Sequence, residues 1–371
     1  MKNLKIINSQ DIRKYAKDNN IELIFHSEKD DSILFISGLN ILINGIQYYL
    51  PPLELHNHNS VILQMSDVII SGRNLAVIHK GNLIASGYSH SFNWVKYGEF
   101  IISSDGRTCI QPKKECIDLE GDDNSFILGI TSHFGHFFTD CLDRLNLAKK
   151  ANLDSKISQY YSDGNPPSQV NDLIALLNSN VLTKLNFLDI NKNYHVKNIY
   201  ISSLNSRKPA ISANSFLSLQ KIAFNSISLD ASYKRFLFIG RKLVKKRKIM
   251  NQDEIIANLA RQKFDVFFPE ENSLLESIKA FNSASFIIII IGSSKFNLAF
   301  CRPGTKVLCL TPEGYAENLG ATSIMMRQIC ELFKLDLFFC ACKVVGQNLG
   351  LDSDIHIDLN NLTKTINIMS N

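Results

Sequence analysis

The spacing of apolar residues differs between the two halves of the chain. From about residue 41 to 100, runs of three or four apolar residues alternate with Gly and Asn breaks, as in the segments that start at Ser60, Asp67, Leu75 and Asn82. Runs of this length between turn-forming residues predict short strands joined in hairpins. A helical repeat then spans roughly 132–151. We therefore expect a first lobe of mixed α and β structure.

In the second half, predicted strands and helices alternate regularly. The strands are expected at 235–239, 265–268, 285–291 and 306–310, with helices starting near Asn251, Ser273 and Ser293. Such alternation predicts a parallel sheet. The uninterrupted apolar run 286–291 predicts that helices cover both faces of this sheet, as in doubly wound folds.

Two of these helix starts carry the pattern of a capping box. Asn251 precedes Glu254 by three residues, and Ser273 precedes Glu276 by the same interval. In a capping box the first side chain accepts a hydrogen bond from a free backbone N–H, and the acid returns to the cap residue. Both helices are therefore predicted to start at these residues.

The predicted domain boundary lies near residue 210. Residues 203–212 lose periodicity and gather Ser, Asn, Arg, Lys and Pro, which is typical of an interdomain connection. We predict a first domain at 1–210, which contains the β-rich region 41–100 and the helix at 132–151. A Rossmann-like domain is predicted at 211–345. The remaining segment, 346–371, carries a helix, and one expected course takes it back to the first domain.

Length and composition agree with two domains and a cytoplasmic location. The chain has 371 residues, of which 45% are hydrophobic, and its eight cysteines are irregularly spaced. This pattern differs from that of a secreted disulfide scaffold, so we expect reduced thiols. Cys340 and Cys342 fall on one face of a predicted strand, where core packing is expected over redox or metal chemistry. The longest apolar run is far shorter than the roughly twenty residues of a bilayer span.

The first candidate for chemistry is a run of cations at 241–248, which holds six basic residues in eight positions. It follows a strand of the predicted parallel sheet, at the end where such sheets bind ligands. Arg241, Lys246 and Arg247 could neutralise a diphosphate there. A solvated loop, a membrane patch and a nucleic-acid patch are the alternatives. The run contains no aromatic residue, which disfavours RNA, and the net charge of +5 is modest.

The second candidate is the turn that follows the strand ending at Ile291. Its residues combine a glycine, two hydroxyls, a lysine and an amide, in the order Gly292, Ser293, Ser294, Lys295, Phe296 and Asn297. Glycine allows close approach of a ligand, and free N–H groups at a helix start attract an anion. This composition suits a phosphate. An ordinary capped helix is the alternative, because the segment lacks a nucleotide-binding fingerprint.

The third candidate is a polar stripe on the helix at 132–151. At about 100° per residue, His133, His136, Asp140 and Arg144 fall within an arc of about 80°, next to an apolar face. A stripe of this kind can face a cleft, with a carboxylate or an imidazole as general base and an arginine to orient it. Zinc ligation by the two histidines and the aspartate is one alternative. A surface Asp140–Arg144 pair is another.

Taken in order, the three candidates resemble the family 61 glycosyltransferases. That family shares a helix motif H-x-x-x-D-x-L-x-R-L, then R-x-x-x-x-x-R-x-x-x-N-x-[DE]-[DE], then a turn G-x-x-x-x-N-x-x-F. The matching positions here are His136, Asp140, Leu142, Arg144, Leu145, Arg241, Arg247, Asn251, Asp253, Glu254, Gly292, Asn297 and Phe300. The likeness extends over about Ser132 to Pro312.

The resemblance implies a GT-B arrangement, in which two Rossmann-like lobes, the first preceded by a β-rich region, face each other across a cleft. It implies inverting transfer of a sugar, without a metal or other cofactor, from a nucleotide sugar to a glycan or lipid-linked glycan. Asp140 or His136 would act as the general base, with His133 and Arg144 on the acceptor side. The cation run and the Gly292 turn would hold the donor diphosphate.

The resemblance also implies a setting, and the chain departs from the family pattern at two positions. Bacterial members build capsule, lipopolysaccharide or other surface polysaccharides, so we expect work in the cytoplasm, with peripheral contact to the inner membrane and no nucleic-acid partner. Ile291 stands where many relatives have His, and Asp143 stands where Pro is usual. The alternative function is therefore a catalytically inert module that binds a glycan or a nucleotide on the same fold.

Overall fold

A computed structural model describes most of the chain. The described residues are 2–7, 12–26, 35–36, 39–43, 46–50, 52–54, 61–71, 75–84, 101–102, 108–111, 115–119, 124–189, 191–203, 211–228, 235–242, 246–315, 321–346 and 352–370. Part of the cation run, 243–245, and most of the predicted connection, 204–210, lie outside this set. In the described part, no helix has the length and apolar content needed to cross a membrane.

The described elements are almost all strands up to residue 129, and strands and helices alternate over most of the rest of the chain. The strands are β1 (Lys2–Ile7), β2 (Glu22–His26), β3 (Phe35–Ile36), β4 (Leu39–Ile43), β5 (Ile46–Leu50), β6 (Leu53–Glu54), β7 (Val61–Ser71), β8 (Ala76–His79), β9 (Asn82–Ile84), β10 (Ile101–Ile102), β11 (Thr108–Gln111), β12 (Cys116–Asp118), β13 (Ser125–Gly129), β14 (Gln159–Ser162), β15 (Leu185–Phe187), β16 (Asn193–Ser203), β17 (Arg235–Ile239), β18 (Phe264–Phe267), β19 (Ala284–Ile290), β20 (Lys306–Pro312), β21 (Asp336–Val345) and β22 (Asp354–His356). The α-helices are α1 (Ile12–Asp18), α2 (Phe134–His136), α3 (Leu142–Lys150), α4 (Ser168–Thr183), α5 (Ala213–Ser226), α6 (Gln252–Arg261), α7 (Leu274–Ser283), α8 (Ala321–Leu332) and α9 (Leu359–Ser370). A π-helical turn, Phe137–Cys141, joins α2 to α3, and 3-10 helices lie at Pro269–Glu271 and Ser293–Phe300.

The chain forms two compact units. The first comprises Met1–Ser32 and His56–Lys208, and the second comprises Ile33–Leu55 and Pro209–Asn371. The hairpin of β4 and β5, predicted within the first domain, instead belongs to the second unit, because β4 pairs in parallel with β21. The C-terminal segment also belongs to the second unit and does not cross back, because buried residues of α9 join that unit's core.

One mixed sheet forms the first unit. Its described strands follow the order β10-β11-β1-β9-β8-β7-β16-β13-β14-β15, with β12 beside β16 and β2 beside β7. The expected β-rich region does not precede a separate Rossmann-like lobe, because β7 pairs with β16 along its length and so joins the same sheet. Beyond this pair, β16, β13, β14 and β15 run parallel. Their carboxyl ends therefore meet at one edge.

The second unit contains the predicted parallel sheet. Its described strands follow the order β18-β17-β19-β20-β21-β4-β5, and the first five are parallel. Residues of β19 that point to opposite faces, such as Ile287 and Ile288, are fully buried. On one face, apolar residues of α6 and α9 share a core with β19 and β20, and Cys340 and Cys342 belong to it. The core role of the cysteine pair is confirmed. Both faces of β19 are buried, as the predicted double cover requires.

One of the two predicted capping boxes is present. At Ser273 the hydroxyl accepts from the N–H of Glu276, whose carboxylate accepts from the N–H of Ser273. At Asn251 the side chain makes no capping bond. Its amide nitrogen instead donates to the carbonyl of Ile357 at 2.8 Å, and its oxygen accepts from the N–H of Ile357 at 3.0 Å. The amide nitrogen also donates to Oε2 of Glu254 at 3.2 Å, so a long-range partner replaces the capping bond alone.

Candidate functional site

The strand order of the second unit identifies the edge where a ligand is expected. From β17 the chain passes through α6 to β18 on one side, and then through α7 to β19 on the other. The order therefore reverses between β17 and β19. Ligands of open parallel sheets bind outside the carboxyl ends of the strands at this reversal. The loops after Ile239 and Ile290 therefore form the candidate site.

The loop after β17 places Arg241 at this edge. Gly240 lies against the ring of Phe268, where a β-carbon would not fit. The side-chain amide of Gln252, in the first turn of α6, accepts from the N–H of Arg241 at 2.8 Å and donates to the carbonyl of Arg241 at 3.0 Å. These contacts fix the backbone that carries the guanidinium. Gln252 was not predicted as a site residue, although it lies within the motif that starts at Arg241.

Gly292, which follows β19, is the meeting point of two guanidinium groups. Nη1 of Arg241 and Nη1 of Arg247 each lie 3.4 Å from the position that a β-carbon of Gly292 would occupy. Arg247 also donates from Nη1 to the carbonyl of Ile291 at 3.4 Å. A side chain at position 292 would fill the space beside both cations. Glycine here leaves that space available to a ligand.

The C-terminal segment holds Arg247 in position. Arg247 has a left-handed backbone with φ of 59°, and its N–H donates to the carbonyl of Asp352 at 3.4 Å. The following residues pair with the same segment, since the N–H of Ile355 donates to Lys248 at 2.8 Å. Nε of Arg247 is buried and has no hydrogen-bond partner among the described residues, and the nearest Asp352 oxygen lies 3.9 Å away.

Lys295 adds a third positive group beneath the turn. Its side chain is 3% exposed, and Nζ donates to the carbonyl of Gly292 at 3.4 Å. Burial, followed by repulsion from Arg247, lowers the pKa of Lys295 to about 7. Burial and the same neighbour lower the pKa of Arg241 to about 10. Crowding of partly buried cations is unfavourable unless an anion offsets it.

The other predicted donor-side residues have different surroundings. Ser293 and Ser294 are half-buried at the start of the 3-10 helix. Lys246 points outward, with 65% of its side chain exposed and Nζ 2.6 Å from Asp352. Asn297 is 1% exposed, and both polar atoms of its amide lack a partner among the described residues. The structure thus brings together Arg241, Arg247, Gly292 and Lys295, named here the cation cluster.

In the first unit, the predicted polar stripe is divided between surface and core. His133 is exposed and caps α2, because its Nδ1 accepts from the N–H groups of Gly135 and His136 at 3.1 and 3.4 Å. The half-buried ring of His136 lies beside it, with the ring centroids 4.9 Å apart. The π-helical turn that follows changes the helical repeat. The predicted arc therefore does not continue to Asp140 and Arg144.

Asp140 and Arg144 form a buried ion pair, in contrast to the expected cleft-facing stripe. Oδ1 of Asp140 lies 3.1 Å from Nε of Arg144, and the two side chains are only 3% and 1% exposed. Oδ2 accepts from the N–H of Ile130 at 3.0 Å, while Arg144 donates to the carbonyl of Ile127. Gly129 lacks the side chain that would collide with this carboxylate. The pair links the helix to the carboxyl end of β13.

Asp163 was not selected from the sequence, yet it lies at the same strand edge. It follows β14, and Oδ1 accepts from the N–H groups of Thr131 and Ser132 at 3.0 and 3.3 Å. Oδ2 accepts from the hydroxyl of Ser132 at 2.7 Å. Burial raises the pKa of Asp163, against these hydrogen bonds. The sequence carried a signal for this contact, because an acid follows one strand and hydroxyl residues follow the neighbouring parallel strand.

The zinc alternative has no support in the geometry. Across the described residues, no group of three or more His, Cys, Asp or Glu side chains is arranged to hold a metal ion. The oxygens of Asp140 accept hydrogen bonds from Arg144 and Ile130. The helix that carries His133 and His136 therefore does not supply the three-residue ligand set that this alternative requires.

Comparison with known proteins gives one family. Residues 134–308 match the sequence model of the family described as Glycosyltransferase 61. The matched segment runs from the helix of His136 through the cation cluster. No curated protein matches the chain with significant similarity. The resemblance predicted from the motifs is thus confirmed for this segment.

Proposed function

We propose that this protein, whose residues 134–308 match the model of glycosyltransferase family 61, transfers a sugar from a nucleotide diphosphate to a hydroxyl of a glycan or glycolipid. The cation cluster is the observation that carries the proposal. It combines Arg241, Arg247 and Lys295 around a glycine at the strand edge where parallel sheets bind ligands. In this proposal the cluster binds the diphosphate of the donor.

Transfer requires stabilisation of the departing nucleoside diphosphate. Negative charge grows on the leaving phosphate as its bond to the sugar breaks, and preorganised cations lower the energy of that state. Arg241 and Arg247 present two guanidinium groups to the space beside Gly292. Guanidinium groups bind phosphate oxygens through parallel hydrogen bonds. We therefore propose that these side chains fulfil this role without a metal or other cofactor. The inverting course of the proposed reaction is what the family resemblance implies.

A general base must remove the proton of the acceptor hydroxyl. We propose His136 for this role and assign Asp140 to positioning, because both Asp140 oxygens already accept hydrogen bonds within the core. His136 is half-buried, and its backbone is fixed by the cap at His133. An imidazole can accept a proton near neutral pH, which suits a general base.

The wider setting is proposed from the resemblance alone. It includes a GT-B arrangement, a role in bacterial capsule, lipopolysaccharide or other surface polysaccharide synthesis, and work at the cytoplasmic face of the inner membrane. The exposed side chains of Lys242 and Lys246 support peripheral contact with an anionic surface. Both lysines also pair with acids, at Glu271 and Asp352.

A nucleotide-sugar screen tests the proposed function. Thermal shift of the full chain should identify at least one nucleotide sugar that raises the melting temperature, since binding stabilises only the folded state. The same donor should release its nucleoside diphosphate when glycan extract is added, and His136→Gln should abolish release while it preserves the thermal shift. Stabilisation without release from any donor would instead support the inert binding module.

A further inference from the structure

Lys295 is a buried amine within a group of positive charges. Its Nζ lies 4.0 Å from the centroid of the Phe296 ring, with the carbonyl of Gly292 as its hydrogen-bond acceptor. The titratable groups that act on it are Arg247, from the cation run, and Cys309, from β20. Three carboxylates lie near the other members of the cluster: Asp352 pairs with Lys246 and lies 3.9 Å from Nε of Arg247, and Glu270 and Asp354 act on Arg241.

This environment disfavours the charged form of Lys295. Removal of an ammonium from water is costly, and a neighbouring guanidinium adds repulsion. Both effects lower the pKa of Lys295 to about 7, partly offset by Cys309. About half of the molecules therefore carry an uncharged amine at neutral pH. The site is only partly charged before a ligand arrives.

We propose that an entering phosphate group causes protonation of Lys295, so that anion binding at the cation cluster takes up a proton from solvent. The lone pair of the neutral Nζ forms an N–H bond with that proton, and no other bond changes. The negative charge of the phosphate offsets the repulsion from Arg247 and stabilises the ammonium. This inference rests on the proposed donor-phosphate site and adds a proton to its binding reaction.

The coupling has a consequence for the proposed reaction. A nucleoside diphosphate carries more negative charge than the nucleotide sugar from which it leaves. Lys295 should therefore hold its added proton more firmly in the complex with the product. A lysine charged by its ligand stabilises the leaving group as that charge develops. A permanently charged arginine at the same position would attract both ligands without a change in protonation. The structure therefore assigns to Lys295 a preference for the more highly charged ligand.

Titration calorimetry with inorganic pyrophosphate tests the coupling. Heats measured at pH 6, 7 and 8, in buffers with different ionisation enthalpies, give the number of protons taken up. Wild type should take up more protons than Lys295→Met, and the difference should increase from pH 6 to pH 8 towards about one proton. The difference between the two proteins removes the protonation of pyrophosphate itself. Wild-type affinity should also fall about fivefold between pH 7 and pH 8, relative to Lys295→Met, and more steeply at higher pH.

Two further variants separate charge from titration. Lys279→Met removes an exposed lysine of α7, and its proton uptake should equal that of wild type. Lys295→Arg keeps a charge that does not titrate, so its affinity should lose the extra pH dependence. If Lys295→Met fails to fold, as judged by circular dichroism, Lys295→Arg takes its place in the comparison of proton uptake.

Equal proton uptake by wild type and the folded position-295 variants would overturn the proton coupling but not the phosphate site. Failure of pyrophosphate to bind wild type at any pH would overturn the phosphate site as well.

Discussion

At the scale of single residues, the helix of the first unit shows how a polar motif can serve the core. Asp140 and Arg144 are four residues apart and both almost fully buried, and each also bonds the backbone near β13. A buried pair of this kind gains little over apolar packing, but loss of one partner leaves an uncompensated charge. Gly129, with φ of 111°, leaves room for the carboxylate.

Asp140→Asn should therefore destabilise the first unit. Loss of the charge leaves the buried guanidinium of Arg144 without its partner, and we expect a cost of about 3–5 kcal/mol. Urea denaturation followed by circular dichroism measures it. Asp172→Asn makes the same chemical change at an exposed position of α4 and should have little effect. If Asp140→Asn were as stable as Asp172→Asn, the pair would not have the structural role assigned to it.

At the scale of elements, local sequence patterns predicted the second unit well. The strands at 235–239 and 306–310 agree with β17 and β20, because their apolar runs have no competing interpretation. The helix expected at Ser293 is instead a 3-10 helix. In the first unit, the two runs at Ser60 and Asp67 form one strand, β7, because β16 pairs with it throughout. Long-range pairing of this kind leaves no local signal.

The two predicted capping boxes provide a matched test of local and long-range contacts. Ser273→Ala removes a local cap and should cost about 1 kcal/mol. Asn251→Ala removes two hydrogen bonds to the buried backbone of Ile357 and should cost about 2 kcal/mol, since unpaired buried groups add to the loss.

Urea denaturation of both variants compares the two costs directly. The larger cost is expected for the variant at Asn251, which joins α6 to the C-terminal segment. The reverse order, with Ser273→Ala the less stable, would mean that the contact with Ile357 contributes little. An Asn251→Asp variant, which keeps the acceptor but loses the donor, should fall between wild type and Asn251→Ala.

At the scale of the whole molecule, the motifs predicted the matching family and singled out the loops that carry the cation cluster. The predicted domain bounds agree with the two units only in part. The change of unit between Lys208 and Pro209 falls at the predicted connection. Periodicity could not show that the hairpin β4–β5 belongs to the second unit, because its partner β21 lies almost three hundred residues away in sequence. For the same reason, the contact between Arg247 and Asp352 was not foreseen.

The central claim is that the cation cluster binds the diphosphate of a sugar donor. Titration calorimetry of the full chain with the common nucleoside diphosphates tests it most directly, with Arg247→Ala and Lys246→Ala in parallel. At least one nucleoside diphosphate should bind wild type. Arg247→Ala should weaken it about tenfold or more, and Lys246→Ala, an exposed and paired lysine, should have a smaller effect. Absence of binding, or equal affinity in wild type and Arg247→Ala, would contradict the account.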